Sequence, residues 1–84
     1  MTAAQLRAAR AMLRMDQAAL AAAAGISVET VKRLERMEGN LSAVRVDTLD
    51  AITAVLEKEG VGFIDSDNGG AGVRLNPKPK GRRR

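Results

Sequence analysis

The chain has 84 residues and is 45% apolar, with Phe63 as its only aromatic residue and neither cysteine nor histidine. So short a chain supports one small domain around a thin, alanine-rich core. With no disulfide or thiolate metal site to reinforce that core, oligomerisation is the remaining staple. Lacking histidine, and with no serine or carboxylate pair in a catalytic setting, the sequence points away from an enzyme and calls for no cofactor, metal or small-molecule ligand.

The formal net charge of +4 is unevenly distributed. Residues 1–45 carry seven basic against four acidic side chains, residues 46–75 two against six, and residues 76–84 five basic side chains and no acid. A basic end that faces phosphates and an acidic end turned away from them is the polarity of a DNA binder.

Thr2 is placed to cap a first helix running to about Met15, with Leu6, Ala9 and Leu13 as its inward stripe and Arg7 and Arg14 outside it. The alanines and arginines of this region have the look of a leader peptide. Asp16 and Gln17 break its apolar run, so neither a targeting segment nor a membrane span is expected. Asp16 caps a second helix, residues 17–24, built on Leu20 and a run of alanines, and Gly25 ends it where a left-handed backbone is needed. Ser27 caps a third helix, residues 28–37. Val28, Val31 and Leu34 form one stripe there, and Glu29, Lys32, Arg33 and Arg36 project elsewhere.

Gly39 and Asn40 are stop signals, and Leu41, Val44 and Val46 are expected to tuck under the body. A fourth helix follows from Arg45 or Val46 to Glu59, with Leu49, Ile52, Val55 and Leu56 inward, and Gly60 ends it. Two short apolar runs, residues 61–65 and 72–75, flank a polar, glycine-rich stretch and read as a β-hairpin with a turn at Asn68-Gly69. No following helix or lysine turns those glycines into a phosphate cradle. Residues 76–84, with Pro77, Pro79, Gly81 and five basic side chains, read as a disordered tail that either solubilises the chain or adds non-specific attraction to phosphate.

Gln17, Leu20, Ala21, Gly25, Val31, Leu34 and Glu35 together resemble the Xre/Cro-type helix-turn-helix family, which includes the lambdoid phage repressors, over about residues 2–59. The segments Gly60–Ile64 and Gly72–Leu75 are similar to those appended to short bacterial regulators of that type. The resemblance implies a mainly α, four- to five-helix lambda-repressor-like DNA-binding domain over residues 1–60, followed by a short C-terminal β-hairpin, 61–75, and the tail, 76–84. It further implies a partly buried ion pair between Arg10 and Glu35, the alternative being two unconnected surface charges.

By the same resemblance the partner is double-stranded DNA, and the third helix lies in its major groove. Ser27, Val28, Glu29, Lys32 and Arg33 are then nearest the bases, while Gln17 binds a phosphate. Arg36 is a candidate for the backbone, with Arg14 and Arg45 as further ones, each of the three equally readable as part of a solvated face. Arg33 or Lys32 suits guanine, Glu29 cytosine N4 and Val28 a thymine methyl. This valine, acid and two bases depart from the glutamine-rich reading face of some phage repressors, so no operator sequence carries over.

A lone hairpin is marginal in water. Pairing with a second copy through Val61, Phe63, Ile64, Val73 or Leu75 would make a four-stranded sheet and a homodimer; the alternative is that the hairpin packs on its own fourth helix. The expected protein is a bacterial, cytoplasmic, nucleoid-associated dimeric repressor that reads an inverted repeat and is autoregulatory. An activator, an antitoxin with a toxin partner, a helical protein-interaction module and a non-specific nucleic-acid binder are the alternatives.

Overall fold

In the computed structural model, which describes residues 1–41, 43–64 and 69–76, four helices precede a two-stranded antiparallel hairpin. The helices are α1 (Ala3–Leu13), α2 (Gln17–Ala24), α3 (Val28–Arg36) and α4 (Val46–Lys58), and the strands are β1 (Val61–Ile64) and β2 (Gly72–Leu75). The turn expected at Asn68-Gly69 and the basic tail beyond Asn76 fall largely outside the described residues.

Three helices begin on a side chain that accepts from an otherwise orphaned backbone N–H: Thr2 from Gln5, Asp16 from Ala19 and Ser27 from Thr30. Gln5 returns the favour, accepting from the Thr2 N–H at 2.9 Å, so Thr2 and Gln5 form a reciprocal capping box. The fourth helix has no side-chain cap, and the Arg45 guanidinium pairs instead with Asp47 in the first turn.

The first two helices end in the same hydrogen-bonded motif. At the end of α1 the Arg14 N–H donates to the Ala11 carbonyl and the Met15 N–H to that of Arg10; at the end of α2 Gly25 and Ile26 donate to Ala22 and Ala21. Each motif needs a left-handed residue, and φ is +55° at Arg14 and +71° at Gly25. Hence α1 stops at Leu13 rather than near Met15. The third helix stops at Arg36, because Met37 is already extended, two residues before Gly39.

The core joins Leu6 and Ala9 of α1, Leu20 and Ala21 of α2, Val31 and Leu34 of α3, Ile52 and Leu56 of α4, Leu41 from the α3–α4 loop and Val61 of β1. The small alanines let α1 and α2 come close to their neighbours, while the leucines supply most of the buried volume. Leu13, Val28, Val44, Leu49 and Val55 are half-buried around this centre. Val46 does not tuck under the body: it is 72% exposed. It stands six residues before Ile52, about 120° round the helix from it, and so points away from the core.

Val61 pairs with Leu75, Gly62 with Arg74, Phe63 with Val73 and Ile64 with Gly72, and the Asn76 N–H extends the ladder by donating to the Gly60 carbonyl at 2.7 Å. Asn76, the residue after β2, is thus tied to Gly60, two residues after the end of α4 and immediately before β1. Facing residues share a side of the sheet, so Val61, Phe63, Val73 and Leu75 form one face and Gly62, Ile64, Gly72 and Arg74 the other. The first face packs on the protein's own helices. Val61 is 2% exposed and Phe63 and Val73 are packed against the core, whereas Ile64 and Leu75 are open to solvent. Three of the five residues expected at a dimer contact therefore have an intramolecular role, because the hairpin sits against α1 and α4.

Candidate nucleic-acid interface

A helix read by DNA must show one polar face and be held firmly by the other. On α3, Val31, Leu34 and Glu35 are buried, and Glu29, Arg33 and Arg36 are exposed with Lys32 at their side. Lys32 and Arg33 each stand three or four positions from both Glu29 and Arg36, which stacks the four on one continuous face. The nine-residue helix is about 13.5 Å long, and an α-helix with its side chains is narrow enough to enter a major groove about 12 Å wide.

Within that face Lys32 Nζ lies 3.7 Å from Glu29 Oε2, and both side chains are substantially exposed. Such an i,i+3 pair contributes only about 0.2–0.5 kcal/mol, so either partner is readily surrendered to another polar group. Arg33 and Arg36 have no side-chain partner among the described residues. Ser27 is engaged as the helix cap, accepting from the Thr30 N–H at 3.1 Å and lying 2.9 Å from the Thr30 hydroxyl. Val28 is half-buried and joins the rim of the core.

The anchoring side centres on Glu35, whose side chain is 5% exposed. Arg10 donates from Nε to Oε2 at 2.7 Å and from Nη2 to Oε1 at 2.9 Å, a two-pronged contact between α1 and α3. Gln17 Nε2 donates to the same Oε1 at 3.0 Å, which brings the first residue of α2 into the cluster. The remaining Arg10 nitrogen, Nη1, donates to the Met15 carbonyl at 2.9 Å and so braces the α1–α2 turn. Burial pushes the Glu35 carboxyl up, but hydrogen bonds from Arg10 and Gln17 and the charges of Arg10 and Arg7 outweigh it, leaving Glu35 below the ordinary carboxylate range. Its hydrogen bond to Glu35 raises Arg10. Both remain ionised throughout the neutral range.

Two members of this frame, Arg7 and Gln5, join it through contacts that no local sequence pattern marks. The Arg7 guanidinium donates from Nη1 to the backbone carbonyl of Glu35, securing the last turn of α3 from the same side of α1. Gln5, 6% exposed, donates from Nε2 to the carbonyls of Ile64 and Gly72 at 3.0 and 2.9 Å. The capping-box spacing Thr2-x-x-Gln5 is visible in the chain, but a link to a hairpin some sixty residues away is not.

The structure thus brings Arg10, Gln17 and Glu35 into one cluster and sets Glu29, Lys32, Arg33 and Arg36 on the opposite, open side of α3. Arg45, at the start of α4, is engaged by Asp47 at 2.8 Å, and both side chains are largely exposed. Among the described residues no group of acids could hold a metal ion, and no helix is long and apolar enough to cross a membrane. The sequence model of the helix-turn-helix family matches residues 6–60, more than half of the chain. No curated protein matches it.

Proposed function

Because the chain belongs to the Xre/Cro-like helix-turn-helix family of DNA-binding regulators, we propose that it is a dimeric repressor that reads an inverted repeat with α3 in the major groove. The observation that carries this reading is the open face of Glu29, Lys32, Arg33 and Arg36 on a helix whose other side is fastened by Arg10, Arg7 and Gln17. Arg33 and Lys32 donate to guanine O6 and N7, Glu29 accepts from cytosine N4, and Ser27 and Val28 approach neighbouring base edges from the helix N-terminus. Gln17 has a second amide hydrogen still to donate to a phosphate, and Arg36 lies against the backbone. A small protein covering a promoter excludes polymerase without any further surface, which favours repression in a bacterial nucleoid.

The second copy pairs along an outer edge of the hairpin. The Asn76–Gly60 bond sets the ladder's alternation, which turns the main-chain groups of Val61 and Phe63 towards one edge and those of Val73 and Leu75 towards the other. Stacking through the outward sheet face has little to bury, since Gly62 and Gly72 flank Ile64 there. Edge pairing, with exposed Ile64 and Leu75 covered by the partner, completes a four-stranded sheet and lets the two reading helices engage half-sites about 34 Å apart. Footprinting of the purified protein on the promoter of its own gene, with excess competitor DNA, tests the reading: a protected inverted repeat is expected, and uniform cleavage would remove it.

A further inference from the structure

The two left-handed helix ends make a comparison inside one molecule. Both have the same pair of backbone hydrogen bonds, yet α2 ends on Gly25 and α1 on Arg14. Among the described residues Arg14 is the one non-glycine residue with positive φ, and a residue with a Cβ is strained there. Glycine would fill the position with less strain, as it does eleven residues later.

Nothing in the fold uses the Arg14 side chain. It is exposed, and among the described residues it has no hydrogen bond or ion pair. The turn that holds it is braced from both ends, because Arg10 accepts from the Met15 N–H and donates to the Met15 carbonyl. Its Cα lies within about 11 Å of that of Gln17, the proposed phosphate contact at the start of α2, since consecutive Cα atoms are 3.8 Å apart. The backbone at this corner is therefore firmly held, and the charge it carries is uncommitted.

We propose that Arg14 is a DNA-backbone clamp, its guanidinium binding a phosphate on the strand that Gln17 approaches, at the expense of a strained helix end. This rests on the DNA-binding reading above. It adds a sequence-independent contact outside the recognition helix and sets affinity and salt dependence rather than base preference.

The test compares Arg14→Gly, Arg14→Lys and Arg33→Ala with the parent full-length chain, by thermal unfolding and by fluorescence anisotropy on a random-sequence duplex of roughly 30 base pairs, about three helical turns. Arg14→Gly is expected to raise Tm by about 4–8 °C, as relief of one strained residue does in a domain of this size. It should lower the magnitude of the log-log salt slope by about 0.9 and weaken binding about eightfold at 0.1 M salt relative to 1 M. Arg14→Lys should keep the parent's slope and Tm. A more stable Arg14→Gly variant with an unchanged salt slope would overturn the proposal. If Arg33→Ala, measured on the protected promoter sequence, still weakens binding, the DNA-binding reading survives without the clamp; if the folded parent fails to bind duplex DNA, both fall.

Discussion

Glu35 gives both carboxylate oxygens to Arg10 and shares one of them with Gln17, residues 25 and 18 positions earlier in the chain. One side chain of α3 therefore ties that helix to α1 and α2 at once. Removing a partner of a buried pair leaves a charge without compensation, so Glu35→Ala is expected to cost about 3–5 kcal/mol. Replacing Arg10 and Glu35 together by apolar residues of similar volume should recover much of that loss. Urea unfolding of the two single variants and the double variant measures the coupling, and additive losses would show that the two side chains act separately.

The same pair sets a pH dependence. Glu35 lies below the ordinary range when folded and returns to about 4.3 when unfolded, so the unfolded chain binds the proton more readily. Its contribution is complete above that value and disappears as pH falls through the lower, folded one. Arg10 stays charged over this range and adds no slope. The parent should lose stability on acidification below about pH 4 more steeply than Glu35→Gln. Equal slopes in urea midpoints measured down the acid limb would assign the loss to other carboxylates.

Gln5 makes a second tie, from the start of α1 to both strands of the hairpin. Truncation to Ala removes the two donated bonds and the return half of the capping box, at a cost of about 1–3 kcal/mol. The loss should be local. Amide exchange is expected to accelerate in residues 61–64 and 72–75 and at the first turn of α1, with α2 and α3 protected as before. Uniform acceleration over the whole chain would mean that the hairpin and the helices open together.

Much of this architecture is legible along the chain because the deciding chemistry is local. Asp16, Ser27 and Gly25 act within a few residues of themselves, and they set the boundaries of α2 and the start of α3 to the residue. The exposed face of α3 follows from spacing alone. Arg14 was not legible as a helix end, since arginine is a good helix former and its left-handed backbone is imposed by the turn that Met15 closes. Val46 looks like a core residue by hydrophobicity and faces out because it sits about 120° round α4 from the buried Ile52. Which side of the hairpin meets its own helices depends on Gln5 and Val61 contacts that no local pattern encodes.

Val46 and Leu41 make a direct comparison on either side of the α4 start. Leu41→Ala empties fully buried space and should cost about 2–5 kcal/mol, while Val46→Ala should stay within about 0.5 kcal/mol. Thermal midpoints read the difference. A large loss at Val46 would show that this exposed valine is covered in the assembled protein.

Arg33 and Arg36 share one face of α3 but have different proposed jobs, and the two separate experimentally. A bidentate contact to guanine discriminates among bases, so Arg33→Ala should cost about 1–3 kcal/mol on the protected sequence and flatten preference at one position of each half-site. A phosphate contact carries no sequence information, so Arg36→Ala should weaken all duplexes alike and reduce the salt slope by about 0.9. Neither change should alter Tm much, since both side chains are exposed and unpaired among the described residues. Binding to a panel of single-position operator variants at two salt concentrations distinguishes the roles. If Arg33→Ala lowered affinity uniformly and Arg36→Ala altered base preference, the assignments would exchange, placing the C-terminal rather than the central turn of α3 deepest in the groove. If neither mattered, α3 would not be the reading element, and the ties that Arg10, Arg7 and Gln17 make to it would serve the fold alone.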